Sequence, residues 1–290
     1  SKLVLGLVQM NVKADKAANI ARACELIDEA VARGANFVGL PEMFNYLGPN
    51  IREQAEAFPG QTHRALAQKA RQHGIWLHCG SIPEIAEDGR YYNATVVLNP
   101  QGETAAVYRK VHLFDIHVPG QAPHKESSAV APGREGVVFD TPWGRMGLTI
   151  CYDLRFPELF RAEALAGAKV IWAPAAFTLY TGKDHWEVLI RARAIENELF
   201  MACPAVIGAR SDGTKPCFGA AMLVDLAARE VLVKPIRRLP KPPMPVVIGA
   251  ALLRKGRRYA IVGIAAFSAL VTPNDVVSMF VMAVPVYALT

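Results

Sequence analysis

Short apolar runs alternate along the chain with stretches whose apolar residues recur at helical spacing. The run LVLGLVQMNV at 3–12 predicts a buried strand. Residues 15–33 follow as a helix, with Ile20, Ala23, Cys24, Ile27 and Val31 on one face and Gly34 closing it. Residues 36–40 predict a second strand, so strand, helix and strand make a βαβ unit with a parallel pair and a right-handed crossover. A loop over 48–60 leads to a helix at 62–73 that stops at Gly74. Strands are expected at 75–80, 94–98 and 104–108, the last two joined by an NPQG turn. Residues 115–136, rich in Pro, Gly, Ser and His, predict a long loop of the kind a compact domain keeps for function. Beyond it come a strand at 146–150 and a helix at 157–167. Pro157 and Glu158 suit the first turn of that helix. A strand at 169–173, a helix at 186–197 and strands at 200–207 and 220–225 complete the reading. The fold class is α/β.

From about residue 231 the character of the chain changes. Residues 1–230 read as one catalytic domain and 231–290 as a divergent basic and apolar segment continuing it. The apolar stretches at 259–271 and 276–289 are shorter than the roughly 20 residues that a spanning helix needs, and no membrane partner is expected. Charge sharpens this division. Of the 32 basic residues, eight lie from 231 onward, where Asp275 is the lone acid. The net charge of +6 therefore belongs to the tail, and the main body is near neutral. The tail has no aromatic interleaving or nucleic-acid motif, and no nucleic-acid partner is expected. At 290 residues and 52% hydrophobic, the chain can bury one large core. Its five cysteines, an odd number with no CxxC pair, point with the absence of a signal-like segment to free thiols and the cytoplasm.

Three residues carry the chemistry. Glu42 follows the strand at 36–40, Lys110 the strand at 104–108, and Cys151 the strand at 146–150 on a turn into a helix. Ligands of α/β sheets bind beyond the carboxyl ends of strands, so parallel neighbours would bring these groups together. A buried structural cysteine is the bland alternative. A carboxylate, an ammonium and a thiol support acyl transfer from nitrogen: the thiolate attacks, Glu42 shuttles the proton, and Lys110 with the backbone N–H of Tyr152 holds the oxyanion.

The motifs LPEMF around Glu42, YRKVHLFD around Lys110 and CYDLRFPELFR around Cys151 resemble, in order and approximate spacing, those of the nitrilase or carbon–nitrogen hydrolase superfamily. The resemblance extends from the first strand to TGKDHWEVLIRARAIEN at 181–197, or over roughly the first 225 residues. It implies a four-layer αββα sandwich, a Glu42, Lys110 and Cys151 triad, and Glu126 as a second glutamate that positions water and tunes its charged neighbours. It implies no cofactor and no metal. FDIHVPG, PAAFTLYTGKDHWEVL and RARAIEN resemble the Nit branch, which implies a small carboxylate-bearing amide as substrate: deaminated glutathione, or an ω-amide of a dicarboxylic acid. A nitrile or an N-carbamoyl amino acid is the alternative. Arg155 is the candidate for the substrate carboxylate, although a structural partnership with Asp153 or Glu158 is equally open. Tyr152, Tyr46, Phe177, Thr178 and His185 are candidates for shaping the pocket.

The chain departs from the family at Gly219, Ala220 and Ala221, where Gly-His-Ser is usual, and after about Val233, where the closing arm that pairs subunits is not recognised. A homo-oligomer, a dimer, is expected from the resemblance, with this departure against it. Two rivals remain. His112, His117, His124 and Asp115 suggest a metal hydrolase, but their spacing matches no helical ligand pair and there is no HExxH. A non-enzymatic binding protein using the basic tail is the other.

Overall fold

A computed structural model of the chain describes residues 2–116, 124–209, 216–226 and 246–248. The first apolar run is two strands, β1 (Leu5–Leu7) and β2 (Gln9–Met10), and they enter different sheets. Helix α1 (Lys16–Ala32) starts where Asp15 accepts a hydrogen bond from the Ala18 N–H, and it buries Ile20, Ala23, Leu26, Ile27 and Ala30. β3 (Phe37–Gly39), α2 (Gln61–His73) and β4 (Trp76–His78) follow, with Gly74 capping α2 at a φ of 61°. β5 (Ile82–Ile85) was not foreseen; it pairs with the long β6 (Tyr91–Leu98), whose other edge takes β7 (Thr104–Arg109). The long loop carries a short hairpin, β8 (Asp115–Ile116) with β9 (His124–Lys125), and a single 3₁₀ turn at Glu126–Ser128.

The second half builds its own sheet. β10 (Val137–Thr141), β11 (Gly144–Leu148), β12 (Val170–Trp172) and β13 (Phe200–Cys203) lie side by side, and the last three are parallel. Helix α3 (Pro157–Leu165) connects β11 to β12. Helix α4 (Leu179–Asn197) begins seven residues earlier than the pattern predicts, because Thr178 caps it by accepting from the Thr181 N–H. The apolar run expected at 200–207 is divided at Pro204. β13 stays in this sheet while β14 (Ala205–Gly208) joins β2 and β15 (Cys217–Phe218) in a separate three-stranded one. β16 (Met222–Val224) closes the edge beyond β13, and β17 (Val246–Ile248) pairs antiparallel with β1. By its internal contacts the chain divides into a unit over 1–250 and another over 251–290. The second unit, including the expected apolar segments at 259–271 and 276–289, lies outside the described residues.

The layers follow from where the apolar faces go. Leu5, Leu7, Phe37, Val97 and Tyr108 of the first sheet pack against Phe139, Met146, Leu148, Trp172 and Met201 of the second. The outer face of the first sheet is covered by Leu26, Ile27, Leu66 and Ala70 of α1 and α2, and Phe160, Trp186 and Ile190 of α3 and α4 join the core of the second. The architecture is the αββα sandwich. Its mid-plane is tight: Phe37 and Trp172 have ring centroids 4.8 Å apart, and a Cβ on Gly39 would fall 2.3 Å from the Trp172 ring.

Candidate active site

Each of the three expected residues leaves the carboxyl end of a strand toward one point. Glu42 lies three residues past β3, Lys110 follows β7 directly, and Cys151 lies three past β11. Glu42 is 5% exposed and Lys110 2%, while Cys151 is half-buried. Cys151 has a φ of 48°, in the left-handed region, and opens a 3₁₀ turn that reaches Arg155. A non-glycine residue held there is strained, and the Cys151 N–H is anchored on the Pro174 carbonyl at 3.0 Å.

The Lys110 Nζ is 3.3 Å from Glu42 Oε1 and 3.1 Å from both carboxylate oxygens of Glu126. Glu126 is fixed in turn by the Phe114 N–H at 2.5 Å. Burial opposes the charge on Lys110, but Glu42 and then Glu126 outweigh it and hold the ammonium well above its ordinary range. Cys151 is affected in the opposite sense: burial, followed by the negative charge of Glu42, pushes the thiol well up, and Lys110 offsets only part of this. Burial and the negative charge of Glu42 keep the resting thiol protonated.

Along its length from 4 to 235, the sequence matches the carbon–nitrogen hydrolase family. The chain belongs to that family. It is 44% identical over 200 residues to the omega-amidase NIT2 of Homo sapiens, covering 68% of this chain and 72% of that protein. It is 42% identical over 224 residues to the deaminated glutathione amidase of Synechocystis, covering 75% and 82%. Its fold superposes with a TM-score of 0.71 on a mutant amidase from Nesterenkonia sp. AN1, 26% identical, covering 89% of this chain and 95% of that one. In that structure the acetamide moiety of fluoroacetamide is covalently attached at the active-site cysteine. A second match, to the Sec-independent protein translocase protein TatC, covers 245–285, nearly all of it outside the described residues.

Other residues of this carbon–nitrogen hydrolase lie where sequence reasoning did not look. Asn93, 2% exposed in the middle of β6, donates to Glu42 Oε1 at 2.9 Å, and the Ala176 N–H donates to Glu42 Oε2 at 2.7 Å. Asp153 is fully buried and accepts from the Ile150 N–H (2.8 Å), the Tyr108 hydroxyl (2.6 Å) and the His112 N–H (2.9 Å), so it joins the lysine segment to the cysteine turn. The signal for Asn93 was a lone amide inside the apolar run YYNATVVL; Ala176 acts through its backbone and left no signal.

The candidate pocket residues divide. Arg155 does not pair with Asp153; its guanidinium lies 3.0 Å from His185 Nδ1 and over the rings of Tyr152 (5.6 Å) and Phe177 (5.7 Å). Arg155, Tyr152, Phe177 and His185 thus form one group beside Cys151. Thr178 uses its hydroxyl as the cap of α4, and Tyr46 turns to its own loop, donating to the Pro49 carbonyl at 2.7 Å. The two alanines of the departure are held by backbone bonds: Ala220 O accepts from Trp186 Nε1, and the Ala221 N–H donates to Gln9. Among the described residues no group of His, Cys, Asp and Glu could hold a metal ion. His112 is bonded to Asp153 and stacked on Phe156 at 3.8 Å, Asp115 accepts from Ser127, and His117 lies outside the described residues.

Proposed function

We propose that this hydrolase is an amidase of small, linear, carboxylate-bearing amides, with Cys151 as nucleophile, Glu42 as proton shuttle, and Lys110 and the Tyr152 N–H as the oxyanion site. The observation that carries it is a buried ammonium in contact with two carboxylates, one of which, Glu42, acts by its charge on the Cys151 thiol. Because the thiol is held protonated, attack on the amide carbon requires Glu42 to take the proton as the S–C bond forms. The charge that appears on the carbonyl oxygen is matched by the charge removed from Glu42, so the site keeps its net charge through the step. Lys110, still facing Glu126, stays cationic beside the oxyanion. Among the described residues no carbonyl outside its own 3₁₀ turn accepts from the Tyr152 N–H, which leaves that donor for the same oxygen. Glu42 then returns the proton to the departing nitrogen, the amine leaves (cysteinylglycine from deaminated glutathione, ammonia from a primary ω-amide), and a thioester remains on Cys151. Water that gives its proton to Glu42 attacks the thioester, and the acid departs as the thiol is restored.

Arg155, set against two rings beside Cys151, is the group for the substrate carboxylate. With the two similar amidases above, it ranks deaminated glutathione first and α-ketoglutaramate or succinamate-type amides second. The five free cysteines fit a reducing, cytoplasmic setting. Among the described residues no helix is long and apolar enough to cross a membrane. We further propose a homodimer through the outer helices, where Leu165, Val188 and Ile195 are 80%, 66% and 57% exposed.

The test is release of ammonia and of cysteinylglycine from ω-amides, deaminated glutathione, N-carbamoyl amino acids and nitriles. Turnover is expected on the carboxylated amides, lost in Cys151→Ala, with an acyl adduct on Cys151 in the mass spectrum. Turnover confined to nitriles or carbamoyl acids overturns the substrate ranking; an adduct on Cys203 or Cys217 overturns the nucleophile.

A further inference from the structure

Asn93 is buried in β6, and its side-chain amide donates to the carboxylate of Glu42. The same residue reaches the lysine through its main chain, because the Asn93 carbonyl accepts from the Lys110 N–H at 2.9 Å. Its partner across β5 is Pro83, which has no N–H to compete for that carbonyl. One residue therefore holds the base by its amide and the ammonium-bearing segment by its backbone.

The donors around Glu42 are distributed unevenly. Oε1 receives the Asn93 amide at 2.9 Å and the Lys110 ammonium at 3.3 Å; Oε2 receives the Ala176 N–H at 2.7 Å. Each carboxylate oxygen has two lone-pair sites. By the hydrogen bonds of the described residues, both on Oε1 are taken and one on Oε2 is open. We propose that Asn93 is the positioning residue of the general base, fixing the plane of the carboxylate so that Oε2 is the oxygen that takes and returns the proton. Lys110 shares its charge with the oxyanion as the reaction proceeds, whereas the Asn93 amide has no other partner among the described residues and stays on Oε1. The neutral acid formed in mid-reaction keeps its carbonyl at Oε1, where Asn93 still donates, and its hydroxyl at Oε2. The groups facing Glu42 are Lys110 from the end of β7, Cys151 from the 3₁₀ turn, and, beyond Lys110, Glu126; Asp153 also acts on Lys110 through space.

This inference rests on Glu42 being the base. The experiment compares Asn93→Ala, Asn93→Ser and Asn93→Asp with the unmodified enzyme, alone and on a Glu42→Gln background. It reads kcat and KM on succinamate or α-ketoglutaramate and the rate of Cys151 alkylation by iodoacetamide across pH. Asn93→Ala is expected to lower kcat about 10–10²-fold, part of the range of general acid–base catalysis, with KM within about twofold. Asn93→Asp, which sets a second carboxylate against Oε1, should fall further and move the alkylation profile to higher pH. On the Glu42→Gln background the Asn93 replacements should slow alkylation no further, since the group they position is gone. An Asn93→Ala or Asn93→Ser enzyme with kcat per folded molecule and alkylation profile unchanged overturns the inference. So does an equal loss with and without Glu42, which a packing role produces and which alkylation of soluble protein reports for whichever variant folds. If Glu42→Gln itself keeps full activity, the base assignment fails, and that outcome is distinct from failure of Asn93 alone.

Discussion

In the proposed reading, Arg155 meets the part of the substrate that is not cleaved. Its guanidinium is held by two aromatic rings and a ring nitrogen rather than by an acid, so its charge remains for an incoming carboxylate. A lysine keeps the charge and loses the planar fork. Arg155→Lys is therefore expected to raise KM for carboxylated amides about tenfold with little change in kcat, and Arg155→Met more. Unchanged KM in both would remove Arg155 from substrate binding. A second buried residue lies outside the chemistry: Glu163 on α3, 2% exposed, has no hydrogen-bond partner of normal geometry, although the Leu148 and Val137 N–H groups are close. Burial, then repulsion from Asp153, raises its carboxyl well above the usual range. In the unfolded chain the group ionises near its ordinary value of 4.5, so its contribution to stability is full below that pH and is lost as pH rises above it. Glu163→Gln keeps the shape without the titration. It should raise Tm at pH 8 and much less at pH 5, which thermal melts at the two pH values decide.

At the scale of elements, the two sheets meet at a histidine. His78 at the end of β4 is fully buried and stacked on Trp172 of the opposite sheet, with ring centroids 5.0 Å apart. Its Nδ1 accepts from the Gly80 N–H, which puts the proton on Nε2, facing the Thr95 hydroxyl at 3.4 Å. Burial lowers its pKa from 6.5 to about 3, so the folded protein keeps the ring neutral. The unfolded chain takes up a proton below 6.5 and the folded one only below about 3, and stability is therefore full above 6.5 and falls as pH drops toward 3. The slope reaches at most about 1.4 kcal/mol per pH unit for the single proton. Denaturant titrations of the native protein between pH 7.5 and 5 should show this loss, and His78→Gln should show a shallower one. Equal slopes would assign acid sensitivity elsewhere.

For the whole molecule, the proposed pairing has two candidate faces: the outer helices and the segment after residue 231. Val188 and Ile195, two helical turns apart on α4, and Leu165 at the end of α3 are large apolar side chains on one outer layer. Sedimentation should find a dimer that Val188→Glu with Ile195→Glu converts to monomer. A dimer that survives the double replacement and is lost on removing 251–290 would assign pairing to the segment that includes most of the TatC match.

The sequence by itself determined the class of fold, most elements, and the three strand ends bearing Glu42, Lys110 and Cys151, because periodicity and local motifs are properties of neighbours in the chain. It placed Glu126 in the right loop for the same reason. It misjudged the runs at 3–12 and 200–207. Each is continuously apolar, and only the packing of two sheets decides that the chain changes sheet at Val8 and at Pro204. Tertiary structure alone decided that Arg155 meets His185 rather than Asp153, and that Asp153 joins Tyr108 to the cysteine turn. It alone set Asn93 and the Ala176 N–H on the two oxygens of one carboxylate. Those contacts link residues 30 to 134 positions apart, through side-chain directions and backbone groups that leave no local pattern in the sequence.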